Sequence, residues 1–199
     1  MSNSQTKSGE TKSLVLVGVG GQGILLASEI IARTITASGL DVKMNEIHGM
    51  AQRGGSVVAQ IRFGHDVASP LVPKGTARAL VALERIEILR YIDYLAPDGL
   101  AVVSDQEIIP VTVSAGAAPY PVVSEDDLRK VFPKLLYVEA VKSAEALGNV
   151  RAANTILLGA LSNECDFPVS DWEESIRSCV KPKFIDVNLQ AFHIGRDLR

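Results

Sequence analysis

A short apolar run, Leu14-Val15-Leu16-Val17, leads directly into Gly18-Val19-Gly20-Gly21-Gln22-Gly23. This junction restricts the fold more than any other stretch of the chain. Glycines at 18, 20 and 23 fit the pattern G-x-G-x-x-G, which carries meaning only where a strand precedes it and a helix follows. The apolar run through Val19 suits a strand buried on both faces. Beyond the turn, Ile24, Leu25, Ala27, Ser28, Ile31, Ala32 and Ile35 recur at helical spacing, and Ser38-Gly39 supplies the stop. In such a unit the first glycine permits the tight turn, the second lets a ligand approach the backbone, and the third lets helix and strand pack closely. Free N–H groups and the positive helix end then favour an anion.

Asp41 to Glu46 reads as a second strand, completing a β-turn-α-β unit. Further strands are expected at Ser56 to Phe63, Ala79 to Leu83, Leu100 to Ser104 and Leu135 to Ala140, with Val111-Thr112-Val113 a weaker one. Residues 64–75, with two prolines, look irregular, and Pro97-Asp98-Gly99 looks like a turn. Glu84 to Leu95 has the spacing of an amphipathic helix. Ser124, followed by three acids, starts another helix. Asn149 to Ser162 is apolar and helical, Ser170 with Glu173 forms a capping-box pattern, and Asp186 to Leu198 is the last helix. Strands alternating with helices predict an α/β fold. We expect a Rossmann-like, mostly parallel sheet with helices on both faces and a C-terminal helical extension. The polar residues 1–13 read as a disordered tail, and residues 14–199 as a single domain.

Composition excludes several classes. Aromatics are only 5% of the 199 residues, so the core is mostly aliphatic. The net charge is −3 and no long Lys/Arg run occurs, which argues against nucleic acid as a partner. No apolar stretch approaches the roughly 20 residues of a membrane span, and the first residues lack the apolar core of a signal peptide. A cytoplasmic location is expected. The two cysteines, Cys165 and Cys179, have neither iron–sulfur nor zinc spacing. Both lie in apolar helical patterns and read as small buried hydrophobes.

Two stretches hold candidate site residues. The first is the turn itself: Gly18, Gly20, Gly21, Gln22 and Gly23. A bound dinucleotide would also want an acid closing the second strand, and Glu46 lies 23 residues past Gly23. Gly21-Gln22 is nevertheless an unusual filling for such a motif. The other readings are a ligand-free β-α turn and the phosphate of a different cofactor at the same helix end. The second stretch is Ile47-His48-Gly49-Met50-Ala51-Gln52-Arg53-Gly54-Gly55. Arg53 beside Gly54 and Gly55 could present a guanidinium and backbone N–H groups to one anion. His48 is the single candidate for proton transfer. The bland readings are a bulge at Gly54-Gly55, a structural histidine, and an Arg53 paired with a carboxylate of another chain. No self-sufficient catalytic constellation is evident, so no residue is assigned as catalytic with His48 the sole candidate. If the sheet is parallel, both stretches border one crevice at the strands' C-terminal ends.

Gly18 to Ile24 followed by Gly49-Met50-Ala51-Gln52-Arg53-Gly54-Gly55-Ser56-Val57 resembles the gamma-type subunit or domain of the 2-oxoacid:ferredoxin oxidoreductases. The resemblance runs from Leu14 onward and includes Arg151-Ala152-Ala153-Asn154-Thr155-Ile156-Leu157-Leu158-Gly159, similar to the family's apolar Asn-containing helix. The His48-Gly49-Met50 lead-in and Gln52 are closer to the beta subunit of the indolepyruvate branch than to pyruvate or 2-oxoglutarate members. The resemblance implies a complex that decarboxylates a 2-oxoacid on thiamine diphosphate. Electrons would pass through iron–sulfur clusters to ferredoxin, and the acyl group to coenzyme A as co-substrate. Thiamine diphosphate and the clusters would lie on a large partner subunit, and this chain would be inactive alone, binding no cofactor firmly. Its share would be assembly and either a hold on coenzyme A by the glycine turn with Arg53 or closure of these residues over the active site of the catalytic chain, and an isolated copy could form a homodimer. The rival expectation is a self-contained NAD(P)-binding dehydrogenase or redox sensor.

Overall fold

The computed structural model describes residues 11–49, 54–109, 113 and 121–198. Six strands form one sheet in the order β2-β3-β1-β4-β5-β6. They are β1 (Lys12–Val19), β2 (Asp41–His48), β3 (Ser56–Gly64), β4 (Ala77–Ala82), β5 (Leu95–Ser104) and β6 (Leu135–Val138). The pairs β1–β4, β4–β5 and β5–β6 are parallel, whereas β3 is antiparallel to both of its neighbours. Five strands therefore run one way and β3 alone runs back between β1 and β2. The fold is mixed α/β, with β3 as the exception to the expected parallel sheet.

Alternation along β1 separates two cores. Leu14 and Leu16 point to one side and Val15 and Val17 to the other, all at most 1% exposed. The first side is covered by α1 (Ile24–Ala37) and by the helices that end the chain. The described helices between α1 and that end are α2 (Glu87–Arg90), α3 (Glu125–Val131) and α4 (Ala140–Ala146). The closing helices are α5 (Ala153–Ser162), α6 (Val169–Cys179) and α7 (Ile185–Asp197). Val72, Ile88 of α2, and Leu128 and Phe132 of the α3 region cover the second side. One face thus has long helices and the other short helices and an irregular strap. This follows from the winding: β1-α1-β2 moves one way across the sheet, and β4 to β6 move the other.

Several local expectations are corrected. The strand begins at Lys12, so Lys12 and Ser13 are not part of a tail, and residues 1–10 lie outside the described residues. The expected helix at Glu84 to Leu95 is one turn of α2 and a 3-10 turn at Ile92–Tyr94, after which Leu95 opens β5. The cause is Glu84, whose carboxylate accepts from the backbone N–H of Ile86 (2.8 Å) and Glu87 (2.9 Å) and holds the chain in a local turn. Pro97-Asp98-Gly99 lies inside β5 as a bulge: Ala77 pairs with Leu95, yet Ala79 pairs with Leu100. Val111 and Thr112 lie outside the described residues, and Val113 is helical rather than extended. Ser124 does cap α3, in a reciprocal box with Asp127. Ser170 does not cap α6, because the helix starts a residue earlier, at Val169 after Pro168. Glu173 pairs instead with His193 at 2.9 Å. Cys165 follows α5 in a connecting segment rather than a helix, and Cys179 ends α6; both are half-buried and free.

Helix α1 ends as its sequence requires. Gly39 takes φ +79°, its N–H donates to Thr36, and the Leu40 N–H reaches back to the Ile35 carbonyl. These two bonds close a Schellman motif and satisfy terminal carbonyls. The densest packing lies between α5 and α7. A Cβ on Gly159 would strike the Phe192 carbonyl, and one on Gly195 the Ile156 carbonyl. The two helix backbones touch, and no side chain fits between them. Gly159→Ala should therefore destabilise the chain by about 1–3 kcal/mol, the usual cost of overpacking. Urea unfolding followed by the fluorescence of the single tryptophan, Trp172, measures this, with an unshifted midpoint as the contrary result.

Candidate functional site

The strands' C-terminal edge gathers both candidate stretches. The glycine turn follows β1, and the Gly49–Gly55 connection joins β2 to β3 at the same edge. The two are tied directly: the Gly20 N–H donates to the Gly55 carbonyl at 2.8 Å. The Gly49 N–H donates to the Ser56 carbonyl at 2.7 Å, extending the β2–β3 hairpin by one rung. Gly54 has φ +75° and is exposed, a conformation that favours glycine. Arg53 lies outside the described residues.

Gln22 organises the turn. Its Oε1 accepts from the Val19 N–H at 2.7 Å. Its Nε2 donates to the Leu83 carbonyl and to Gln106 Oε1, each at 2.7 Å. One side chain therefore bridges the ends of β1, β4 and β5. Gly18 makes room for it, since a Cβ there would stand 2.6 Å from Gln22 Oε1. Asn154 of α5 closes the turn from the other side by donating to the Gln22 carbonyl. Gly23 is left-handed, at φ +81°, and its missing Cβ leaves space for the same Asn154 amide. Gly21, at φ +102°, faces open space.

The outcome is a cleft of about 320 Å³ bounded by Gly20, Gly21, Gly23, Ile24, Leu25, His48 and Val57. The structure thus brings the turn and His48 together. Helix α1 begins on this cleft with no side-chain cap and no acid in its first turn. Its first N–H groups and positive end are directed at the cleft, a setting suited to an anion. His48 is exposed, at the end of edge strand β2. On the opposite face of the sheet, the Ser56 hydroxyl donates to Glu87 Oε2 at 2.5 Å and lies 3.0 Å from the Tyr91 hydroxyl. Glu87 also pairs with Arg90 at 3.0 Å. Among the described residues no cluster of His, Cys, Asp or Glu could hold a metal ion.

Glu46 takes no position suited to a ribose. It accepts from Ser28 of α1 at 2.9 Å, and β3 separates its strand from β1. The crevice between β1 and β4, where a doubly wound fold would seat a dinucleotide, is crossed by the Gln22 amide. Sequence reasoning missed Gln106, Ser56, Glu87 and Asn154 as members of this edge. For Asn154 a signal existed: it is a polar residue inside an apolar helical stretch. Glu87 and Gln106 carry no local sign, because only the sheet brings them to the turn.

With this geometry in place, comparison with known proteins is direct. The family model described as pyruvate ferredoxin/flavodoxin oxidoreductase matches residues 13–198, and the chain belongs to that family. It is 44% identical to the indolepyruvate oxidoreductase subunit IorB of Archaeoglobus fulgidus over 187 residues, covering 92% of each chain. It is 42% identical to the same subunit of Thermococcus kodakarensis, over 92% of this chain and 93% of that one. Among solved structures, the pyruvate oxidoreductase subunit PORC of Thermotoga maritima matches with a TM-score of 0.71 at 21% identity. That match covers 95% of this chain and 97% of that chain. The 2-oxoglutarate:ferredoxin oxidoreductase of Magnetococcus marinus, solved with 2-oxoglutarate, coenzyme A and succinyl-CoA bound, matches with a TM-score of 0.72 at 18% identity. There the match covers 95% of this chain but 31% of that longer one. Among the described residues no helix is long and apolar enough to cross a membrane.

One prediction comes from this edge and another from the opposite end of the sheet. Gln22→Ala removes three hydrogen bonds and strands the Val19 N–H and the Leu83 carbonyl, so unfolding free energy should fall by about 2–4 kcal/mol. Chemical denaturation tests this, and a loss below the scatter of replicates would speak against the bridging role. The second concerns Cys165, whose thiol is pushed up to about 12 by burial. At pH 8 its thiolate is scarce, and its alkylation by iodoacetamide should run about a thousandfold slower than that of a free thiol. Between pH 8 and 10 its rate should rise about a hundredfold, while that of a free thiol levels off above its ordinary pKa. Mass spectrometry of the Cys165 peptide gives the rate, and a plateau by pH 9 would contradict the assignment.

Proposed function

We propose that this chain is the small subunit of an indolepyruvate:ferredoxin oxidoreductase. The observation that carries the reading is the 42–44% identity to indolepyruvate oxidoreductase subunits over more than nine-tenths of both chains. In this reading the complex oxidatively decarboxylates a 2-oxoacid to an acyl-CoA, with ferredoxin as electron acceptor, and operates in the cytoplasm. Thiamine diphosphate and the iron–sulfur clusters reside on a large partner subunit. The chain from Lys12 onward serves as one domain that joins that subunit and is inactive alone.

The share of this chain in the chemistry is the cleft at the glycine turn. We assign it the phosphate-bearing part of coenzyme A, with the backbone N–H groups of Gly21 and Gly23 and of Gly54 and Gly55 as donors, Gly18, Gly20 and Gln22 shaping the turn, and Arg53 as the counter-charge. Support comes from the uncapped, acid-free start of α1 at the cleft and from the bond joining Gly20 to Gly55. His48 lines the cleft, and in this reading it exchanges a proton with the bound group. A complete dinucleotide site in this chain is disfavoured by the Gln22 bridge.

Co-expression with the large thiamine- and cluster-binding subunit should yield a complex that co-purifies and reduces ferredoxin. In that complex Arg53→Ala should raise the apparent KM for coenzyme A about tenfold, the equivalent of one lost charge-assisted contact of about 1.4 kcal/mol, with little change in kcat. An unchanged requirement would remove coenzyme A from this cleft. Calorimetry of the isolated chain should find no micromolar binding of NAD or NADP; binding would favour the self-contained dehydrogenase instead.

A further inference from the structure

The opposite edge of the sheet, where β1 and β4 begin, holds a second cavity of about 270 Å³. Its walls are apolar on one side, with Leu40, Phe63, Phe167 and Cys165. The Phe63 and Phe167 rings are 5.6 Å apart and tilted by 54°, so they form a corner rather than a flat stack. On the other side two cations converge. Lys12 Nζ and Arg78 Nη1 both face Asp166 Oδ2, at 3.3 Å and 3.8 Å. Asp166 itself is 80% exposed, and both contacts are longer than a good charge-assisted hydrogen bond. His65 and Glu164 complete the rim and are exposed.

This is an aromatic corner next to a pair of cations whose present counter-ion is one loosely held, solvated carboxylate. We propose that the cavity is a binding site for a small aromatic carboxylate. The ring would enter the Phe63–Phe167 corner, and the carboxylate would take the place of Asp166 between Lys12 and Arg78. The size agrees: cavities of about 150 Å³ accommodate benzene, which leaves room here for one ring and its acid group. The chemistry agrees as well, since few polar groups on an otherwise apolar wall are what fixes orientation in small-molecule sites. The inference does not rest on the reaction proposed above, as no residue is shared between the two edges.

The full-length chain can report on its own cavity. Phe167 lies 6.4 Å, ring to ring, from Trp172, the only tryptophan. Titration with phenylacetate, read by Trp172 fluorescence and in parallel by calorimetry, should give saturable one-to-one binding in the millimolar range or tighter. Phenylacetamide, the uncharged isostere, should bind at least tenfold more weakly. Two variants should move the affinity in opposite directions. Arg78→Gln should weaken it about tenfold. Asp166→Asn, which removes the competing carboxylate, should tighten it severalfold. Lys12→Met repeats the first test should Arg78→Gln fail to fold, as circular dichroism would reveal. Absence of saturable binding by both methods overturns the proposal. So does equal binding of the amide, or an Asp166→Asn variant that binds no more tightly than the parent chain.

Discussion

The structure depends on how one amide side chain closes the ends of three strands. A sheet wound in two directions leaves a gap where the direction changes, here between β1 and β4. Many folds of this kind fill that gap with a ligand. Here Gln22 fills it, satisfying the Val19 N–H, the Leu83 carbonyl and Gln106 at once. A primary amide suits the position because it offers an acceptor and two donors in one plane. The glycines on either side follow from this. Gly18 is small because the amide lies over it, and Gly23 is small because Asn154 lies over it. Two of the three motif glycines thus serve the turn's own side chains and its packing against α5. The pattern G-x-G-x-x-G is the same as in a dinucleotide-binding protein, yet the steric reasons differ.

The reversed strand β3 is the second constraint. By pairing on both sides, it moves β2 out to the edge and carries Glu46 away from β1. The same reversal makes the β2–β3 connection a hairpin, and its loop must then emerge beside the glycine turn. The bond from Gly20 to Gly55 fixes that meeting. A cleft with backbone donors, an uncapped helix and His48 at its mouth is the consequence. Such a cleft has few anchoring side chains among the described residues, which fits a surface completed by a second subunit better than a site that works alone.

Much of this was legible in the sequence, and the reasons are local. The β1-turn-α1 unit, the stop at Gly39, the Ser124 cap and the strand at Ser56 each depend on neighbours within a few residues. The failures also have local causes that periodicity does not register. Glu84 to Leu95 has helical spacing, but a buried carboxylate two and three residues from its backbone partners outcompetes the helix. Pro97 to Gly99 has turn composition, yet the strand on both sides pairs well enough to absorb it as a bulge. The direction of β3 was not legible at all. Its residues suit either direction, and only the short loop before it favours a hairpin. For the site, the sequence indicated the right edge but not the role of Gln22, whose three partners lie 3, 61 and 84 residues away.

The two edges of the sheet are therefore unlike in kind. At the C-terminal edge the cleft is bounded mostly by glycine backbone and the start of α1. At the N-terminal edge the polar groups are side-chain cations set beside aromatic rings, with Asp166 as an internal counter-ion. Backbone donors at a helix start recognise charge and tolerate many shapes, as a phosphate on a long flexible carrier demands. A cavity with two rings and a displaceable carboxylate recognises shape first and charge second. One subunit can carry both because neither requires a reactive group. Each needs only a sheet rigid enough to hold the two edges fixed, which the strand ends bridged by Gln22 and the abutting backbones of α5 and α7 provide.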